Sequence, residues 1–150
     1  MPGCGLGRLV FELVRAGFTA EGNEVTFYML FGSNFIINTA QAAEQFTIYP
    51  FIHARDYYSH EEDAFRSFKV PDVAPAQLLG DEPKFGICAG DFVEIYQKRP
   101  DEFNGLVTCF FLDTGNNVFD YVDTAAITVQ PGGVWVNFGP LLYHYKDMPG

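Results

Sequence analysis

Positive charge is scarce in this protein: nine Lys and Arg stand against nineteen Asp and Glu among 150 residues, a formal net charge of −10. A surface of that sign repels phosphate backbones and anionic lipid, which argues against nucleic-acid and membrane partners. Cysteine is scarce too. Its three copies, Cys4, Cys88 and Cys109, lie far apart with no Cys-x-x-Cys pair, so neither a disulfide framework nor a zinc site is expected, and no metal. No apolar run approaches the ~20 residues that span a bilayer; the longest, Thr26 to Ile37, is broken by Gly32, Ser33 and Asn34. The first residues carry no basic-then-apolar leader, and no Asn-x-Ser/Thr acceptor occurs. Together these absences predict a soluble protein of a reducing, cytoplasmic compartment.

What is present is apolar and aromatic. At 48% hydrophobic and 17% aromatic residues, the sequence is able to bury a core for one domain of ordinary size, which sets disorder aside. A glycine loop, Gly3-Cys4-Gly5-Leu6-Gly7, leads into Arg8 to Arg15, where Leu6, Leu9, Val10, Leu13 and Val14 fall three and four apart and predict one buried helix face ended by Gly17. A short strand toward Asn23 and Glu24 follows, then a helix from about Val25 to Gln41. Residues 44–84 are proline-punctuated and Tyr/Phe-rich, with Arg55-Asp56-Tyr57-Tyr58 and the solvated acidic turn His60-Glu61-Glu62-Asp63. A stretch this long without periodicity reads as an insertion that serves as a lid or as a homodimer interface, two alternatives left open.

Regular structure resumes with Phe85 to Ala89 as a strand ending at Gly90-Asp91-Phe92. The apolar run Leu106 to Leu112 predicts a strand buried on both faces of a parallel sheet and stopping at Asp113-Thr114. Val118 to Thr128 reads as a helix, Pro131-Gly132-Gly133 as a turn, and Val134 to Phe138 as a last strand. Alternating strands and helices argue for an α/β sandwich with a mostly parallel sheet.

In open α/β sheets, ligands lie outside the carboxyl ends of the strands. A glycine loop opening a helix brings backbone N–H groups to a ligand, and here Gly3 and Gly5 supply it. Glu24, about twenty residues on, stands where a carboxylate can take both ribose hydroxyls of a nucleoside. The Gly-x-Gly-x-Gly spacing lacks the third-glycine arrangement of pyrophosphate binders and suits a single nucleoside, which ranks a nicotinamide-dependent oxidoreductase last. Asp91 can accept from an adenine amino group while Phe92 packs on the ring; the plainer reading of Asp91 is a helix N-cap. Asp113 points a carboxylate toward the same crevice, with a turn as its plainer reading. Cys109 reads as a packing residue, and His144 follows the last strand.

With these residues in place, the sequence resembles S-adenosylmethionine-dependent methyltransferases and, more narrowly, the carnosine N-methyltransferase (N2227-like) family. The blocks that carry the resemblance include Pro2-Gly3-Cys4-Gly5-Leu6-Gly7-Arg8-Leu9, Ile48-Tyr49-Pro50-Phe51-Ile52-His53, Ala89-Gly90-Asp91-Phe92, Thr108 to Thr114, and Pro131-Gly132-Gly133-Val134-Trp135 through Gly139-Pro140-Leu141-Leu142-Tyr143-His144. The resemblance implies a Rossmann-like class I methyltransferase sandwich and transfer of a methyl group to the imidazole of carnosine, giving anserine. It implies donor contacts from Gly3, Glu24, Asp91, Phe92 and Cys109, a dipeptide held by Asp113 and His144, and a cytoplasmic and nuclear address. Cys4, Phe51 and Gly115-Asn116 stand where the family more usually has Ala, Trp and Ala-His. Because the family's first strand would end just before Pro2, the chain is expected to be a fragment truncated at both ends. The alternative function is an incompetent fragment, or a donor-binding or interaction module of the same fold.

Overall fold

The computed structural model describes residues 1–53, 59–78 and 84–147. The protein divides into two compact units, Met1–Phe31 with Pro83–Gly150, and Gly32–Glu82. The first carries every strand-end residue singled out above.

In the first unit the glycine loop opens helix α1 (Arg8–Arg15), which ends at Ala16, with Gly17 in the left-handed region at φ 98°. Its outer face is laced by Glu12 to Arg8 and Arg15 at 2.8 and 3.1 Å. The buried face is Val10, Phe11 and Val14, while Leu6 and Leu9 are exposed. The helix is therefore rotated toward Phe11 relative to the stripe that spacing alone suggests, with Val10 set against Gly22 of the strand that follows. Strand β1 (Ala20–Glu24) follows, then helix α2 (Phe27–Asn38), shorter at both ends than the helix expected from about Val25 to Gln41 and continuing into the second unit at Gly32.

β4 (Phe85–Ala89) pairs with β1 in parallel, Asn23 opposite Cys88 and Glu24 opposite Ala89, and α1 packs on both strands. Met1 and Pro2 run beside the other edge of β1, with Pro2 bridged in parallel to Asn23. Helix α4 (Phe92–Tyr96) is capped by Asp91, whose Oδ1 accepts from the Glu94 N–H at 3.0 Å. The plainer reading of Asp91 is therefore present in the fold.

The second parallel pair is β5 (Phe103–Cys109) with β6 (Val129–Phe138), joined by α5 (Val118–Thr128). Two sequence expectations are corrected here. β5 does not run to Leu112 and is not buried on both faces. It stops at Cys109, Phe110 takes φ 51° and is exposed, and Leu112–Thr114 is a 3-10 turn. The reversal at Phe110 leads into Phe111, whose ring stacks on Tyr121 at 4.6 Å, and this aromatic contact replaces strand continuation. Pro131-Gly132-Gly133 is likewise no turn before the last strand. β6 already starts at Val129, and the three residues form an irregularity in the β5–β6 register between Phe103 and Gly105.

The core of this unit centres on Phe92, Tyr96, Leu106 and Ala125, from α4, β5 and α5. Arg99 braces its rim. It lies 4.9 Å over the rings of Tyr96 and Phe103 and pairs with Glu21 and Glu102, each at 2.6 Å. Burial would raise the Glu21 carboxyl, but bonds from Arg99 and from the Tyr96 hydroxyl (2.5 Å) outweigh it and hold Glu21 below its usual range.

The second unit holds an antiparallel pair, β2 (Phe46–Ile48) and β3 (Phe68–Val70), and the short α3 (Pro75–Leu78). Glu61–Phe65 forms an acidic 3-10 turn exposed apart from Ala64, as expected around His60. Arg55-Asp56-Tyr57-Tyr58 lies outside the described residues, as do 79–83. Among the described residues no helix is long and apolar enough to cross a membrane.

Candidate functional site

β1, β4, β5 and β6 run in two parallel pairs, and the residues following β1, β4 and β5 line one open cavity of about 630 Å³. That volume lies within the ~300–1,000 Å³ typical of small-molecule sites. Gly3 comes from the glycine loop, Glu24 ends β1, Asp91 and Phe92 follow β4, Phe111 and Thr114 follow β5, and Asp120 and Tyr121 face in from the first turn of α5.

Gly3 sits at φ 61°, and a Cβ there would meet the Phe111 ring at 2.6 Å. The loop thus approaches the β5 side so closely that only a glycine fits, which joins the two strand pairs across the cavity floor. Gly5 does not line the cavity, but its N–H donates to Glu24 Oε2 at 2.9 Å. The other oxygen, Oε1, accepts from the N–H groups of Val25 and Thr26, both at 2.9 Å. Burial would raise this carboxyl, yet the N–H groups of Thr26, Gly5 and Val25 together hold it below the usual range, so it is ionised at neutral pH. Three of its roughly four acceptor positions are filled by backbone. The Thr26 side chain acts on the same carboxylate, so the loop and the start of α2 engage most of it.

Asp91 Oδ1 is committed to the cap of α4, and Oδ2 makes no hydrogen bond among the described residues. Phe92 is buried, edge-on to both Phe111 and Tyr121 at 5.6 Å. Burial raises the Tyr121 phenol; the Thr114 side chain pulls the other way, and Asp91 and Tyr145 push it further up. Beside the loop, burial with Glu24 nearby pushes the Cys4 thiol up to about 11, so it stays protonated and inert.

The remaining expected residues stand outside the cavity lining. Cys109 ends β5, half-buried and paired with Phe138. Asp113 is 3% exposed, and its Oδ2 accepts from the Leu142 N–H at 3.0 Å. Its backbone carbonyl accepts from the His144 N–H, also at 3.0 Å. Asp113 therefore latches the segment that carries His144, an exposed side chain, and the neighbouring Tyr145, which does line the cavity.

Three participants escaped the sequence reading. Asn23 is 2% exposed and ties β1 to the end of β4; an Asn inside a strand, where the type is depleted, was the available signal. Tyr121 was within reach once α5 was placed at Val118, since Asn117 caps that helix and turns its first residues toward the strand ends. Tyr145 carried no signal beyond its place after His144. Among the described residues no group of three His, Cys, Asp or Glu gathers as a metal-holding cluster.

Comparison with known proteins identifies the family. The family model described as carnosine N-methyltransferase matches residues 1–150. The carnosine N-methyltransferase of Schizosaccharomyces pombe is 43% identical over 149 residues, 98% of this chain and 40% of the relative. Carnosine N-methyltransferase unmet of Drosophila melanogaster is 44% identical over 152 residues, 100% of this chain and 32% of the relative. The carnosine N-methyltransferase of Rattus norvegicus is 42% identical over 148 residues, 99% and 36%. The chain spans between 32% and 40% of the length of these relatives. With a family match over its whole length and an α/β strand-end cavity behind a glycine loop, the chain belongs to the carnosine N-methyltransferase family.

Proposed function

We propose that this protein carries the donor-binding core of an S-adenosylmethionine-dependent N-methyltransferase of Rossmann-like, class I type, acting on the imidazole of carnosine to give anserine. The observation that carries the reading is the convergence of Gly3, Glu24, Asp91 and Phe92 on one cavity at the strand ends. These residues fit a nucleoside: an ionised carboxylate at the end of β1 for the ribose, an unengaged Asp91 carboxylate oxygen for an exocyclic amine, and the rim of the buried Phe92 ring beside the base. When bound, the donor supplies an electrophilic methyl group on a sulfonium.

The protein's own residues then have defined work. Glu24 would hold the ribose, Asp91 Oδ2 would accept from the adenine amine, and Phe92 would border the ring, with Gly3 in the same lining and Cys109 behind it at the end of β5. Imidazole with a pKa near 6.5 is largely neutral at pH 7. Attack from one ring nitrogen requires the proton on the other. Asp113 is buried beside the cavity rather than in its lining, and its Oδ1 is free of hydrogen bonds among the described residues. It would accept from that N–H, fix the tautomer and ease the developing positive charge. The ring proton leaves to solvent once the new N–CH3 bond has formed. His144, held at its backbone by Asp113, contacts the rest of the dipeptide.

The test is methyl transfer followed by mass spectrometry, with carnosine, free histidine and a histidine peptide offered in parallel, alongside calorimetric titration with the donor. Preferred methylation of carnosine supports the reading. Binding without transfer to any imidazole points instead to a donor-binding module, and absence of donor binding removes the proposal altogether.

A further inference from the structure

The two strand ends that meet the nucleoside are fastened by one side chain. Asn23 sits one residue before Glu24 on β1, and its backbone carbonyl accepts from the Cys4 N–H at 3.0 Å, which holds the glycine loop. Its Nδ2 donates to the Cys88 carbonyl at 3.2 Å and to the Gly90 carbonyl at 2.8 Å. The Gly90 N–H in turn donates to the Glu24 carbonyl at 3.0 Å. Gly90 is thus pinned on its N–H by the strand and on its carbonyl by the Asn23 amide. It needs that restraint, since it sits at φ 136°, and a Cβ there would lie 2.7 Å from Ile95 Cδ1. The next residue is Asp91.

A β-branched residue at position 23 would satisfy the strand and its burial equally well. Only a side chain with two N–H donors on one atom spans the Cys88 and Gly90 carbonyls. We propose that Asn23 is a positioning residue that sets the purine selectivity of the site by fixing the Gly90 peptide and, through it, Asp91 and Phe92. This rests on the assignment of Asp91 to the exocyclic amine of adenine. Hypoxanthine presents a carbonyl at that position and sets oxygen against carboxylate. A site built to accept from a substrate N–H rejects the analogue lacking it strongly, provided the acceptor is held in place. Without Asn23 the Gly90 carbonyl loses its donor, the Gly90–Asp91 peptide is held less tightly, and the Asp91 carboxylate keeps only its bond to the Glu94 N–H as an anchor.

The experiment compares binding of S-adenosylhomocysteine with that of its inosine counterpart by calorimetry, in the unsubstituted protein, Asn23→Ala, Asn23→Ser and Asp91→Asn, each with a thermal melt. The unsubstituted protein favours the adenine ligand, and Asn23→Ala lowers that preference about tenfold, the worth of one well-made hydrogen bond. Asn23→Ser, which keeps a single small donor, falls between the two and serves if the alanine variant does not fold. Uniform weakening of both ligands by the Asn23 variants, with the preference intact, would overturn the positioning role and leave Asn23 as a structural tie only. No preference in the unsubstituted protein, or a preference that survives Asp91→Asn, would overturn the adenine assignment itself and the inference with it.

Discussion

Replacing Glu24 by Gln is nearly isosteric and separates two duties of one carboxylate. The carboxamide oxygen can keep the Val25 and Thr26 N–H groups, but its NH2 then faces the Gly5 N–H, donor against donor. Losing a bond to a charged acceptor costs about 1.5–3 kcal/mol, and two further bonds weaken as their acceptor becomes neutral. Because Glu24 is only 8% exposed, water compensates little. The sum is a destabilisation of about 2–4 kcal/mol, or roughly 5–15 °C in Tm for a protein of this size. Scanning calorimetry reads that number. Titration with S-adenosylmethionine reads the second duty, an affinity lower by about 10- to 100-fold for one lost charged acceptor. An unchanged Tm would refute the claim that Glu24 staples the glycine loop to the start of α2, and an unchanged affinity would refute its contact with the ribose.

Asp113 separates latch from charge. Asp113→Asn keeps an acceptor for the Leu142 N–H, so stability holds while turnover with carnosine falls at least about tenfold at little-changed donor affinity; Asp113→Ala loses both, with a melting loss of roughly 1–3 kcal/mol for the orphaned buried donor. Equal turnover in Asp113→Asn and the unsubstituted protein would contradict its role toward imidazole. Gly3→Ala forces a Cβ against the Phe111 ring at a left-handed φ, so donor affinity drops, read by calorimetry, together with about 1–3 kcal/mol of stability read by denaturant titration. Glu21 and Glu24 both have folded carboxyls held below their ordinary values. Their contribution is therefore complete above the unfolded value of about 4.3 and is lost as pH falls through the folded values. The denaturant midpoint should fall steadily below about pH 4.3, and the paired Glu21→Gln, Glu24→Gln variant should show a flatter decline over that window.

Much of this fold is written locally. Arg8 to Arg15 repeats at helical spacing and ends at Gly17, and Val118 to Thr128 starts at an Asn cap, so both helices are legible to the residue. The strand ends were legible in part for a different reason: Glu24 and Asp91 are acidic residues that close short strands, where α/β sheets place their ligands. What could not be read was settled by tertiary contact. Phe110 and Phe111 continue an apolar run without a break, and only the stacking partner Tyr121, ten residues further on, explains why the backbone leaves the strand between them. Pro131-Gly132-Gly133 has the composition of a turn and is absorbed as an irregularity within β6, because pairing with β5 on both sides of it favours continuation. The Asp113 latch depends on a backbone N–H, at Leu142, and no side-chain pattern announces such a bond.

The most direct test of the account is a crystal structure of the protein with S-adenosylhomocysteine and carnosine. The account predicts a ribose hydroxyl within about 3 Å of Glu24 Oε2, the adenine amine at Asp91 over Phe92, and the imidazole N–H at Asp113. A nucleoside bound away from Glu24 and Asp91, or an imidazole that does not meet Asp113, would contradict it.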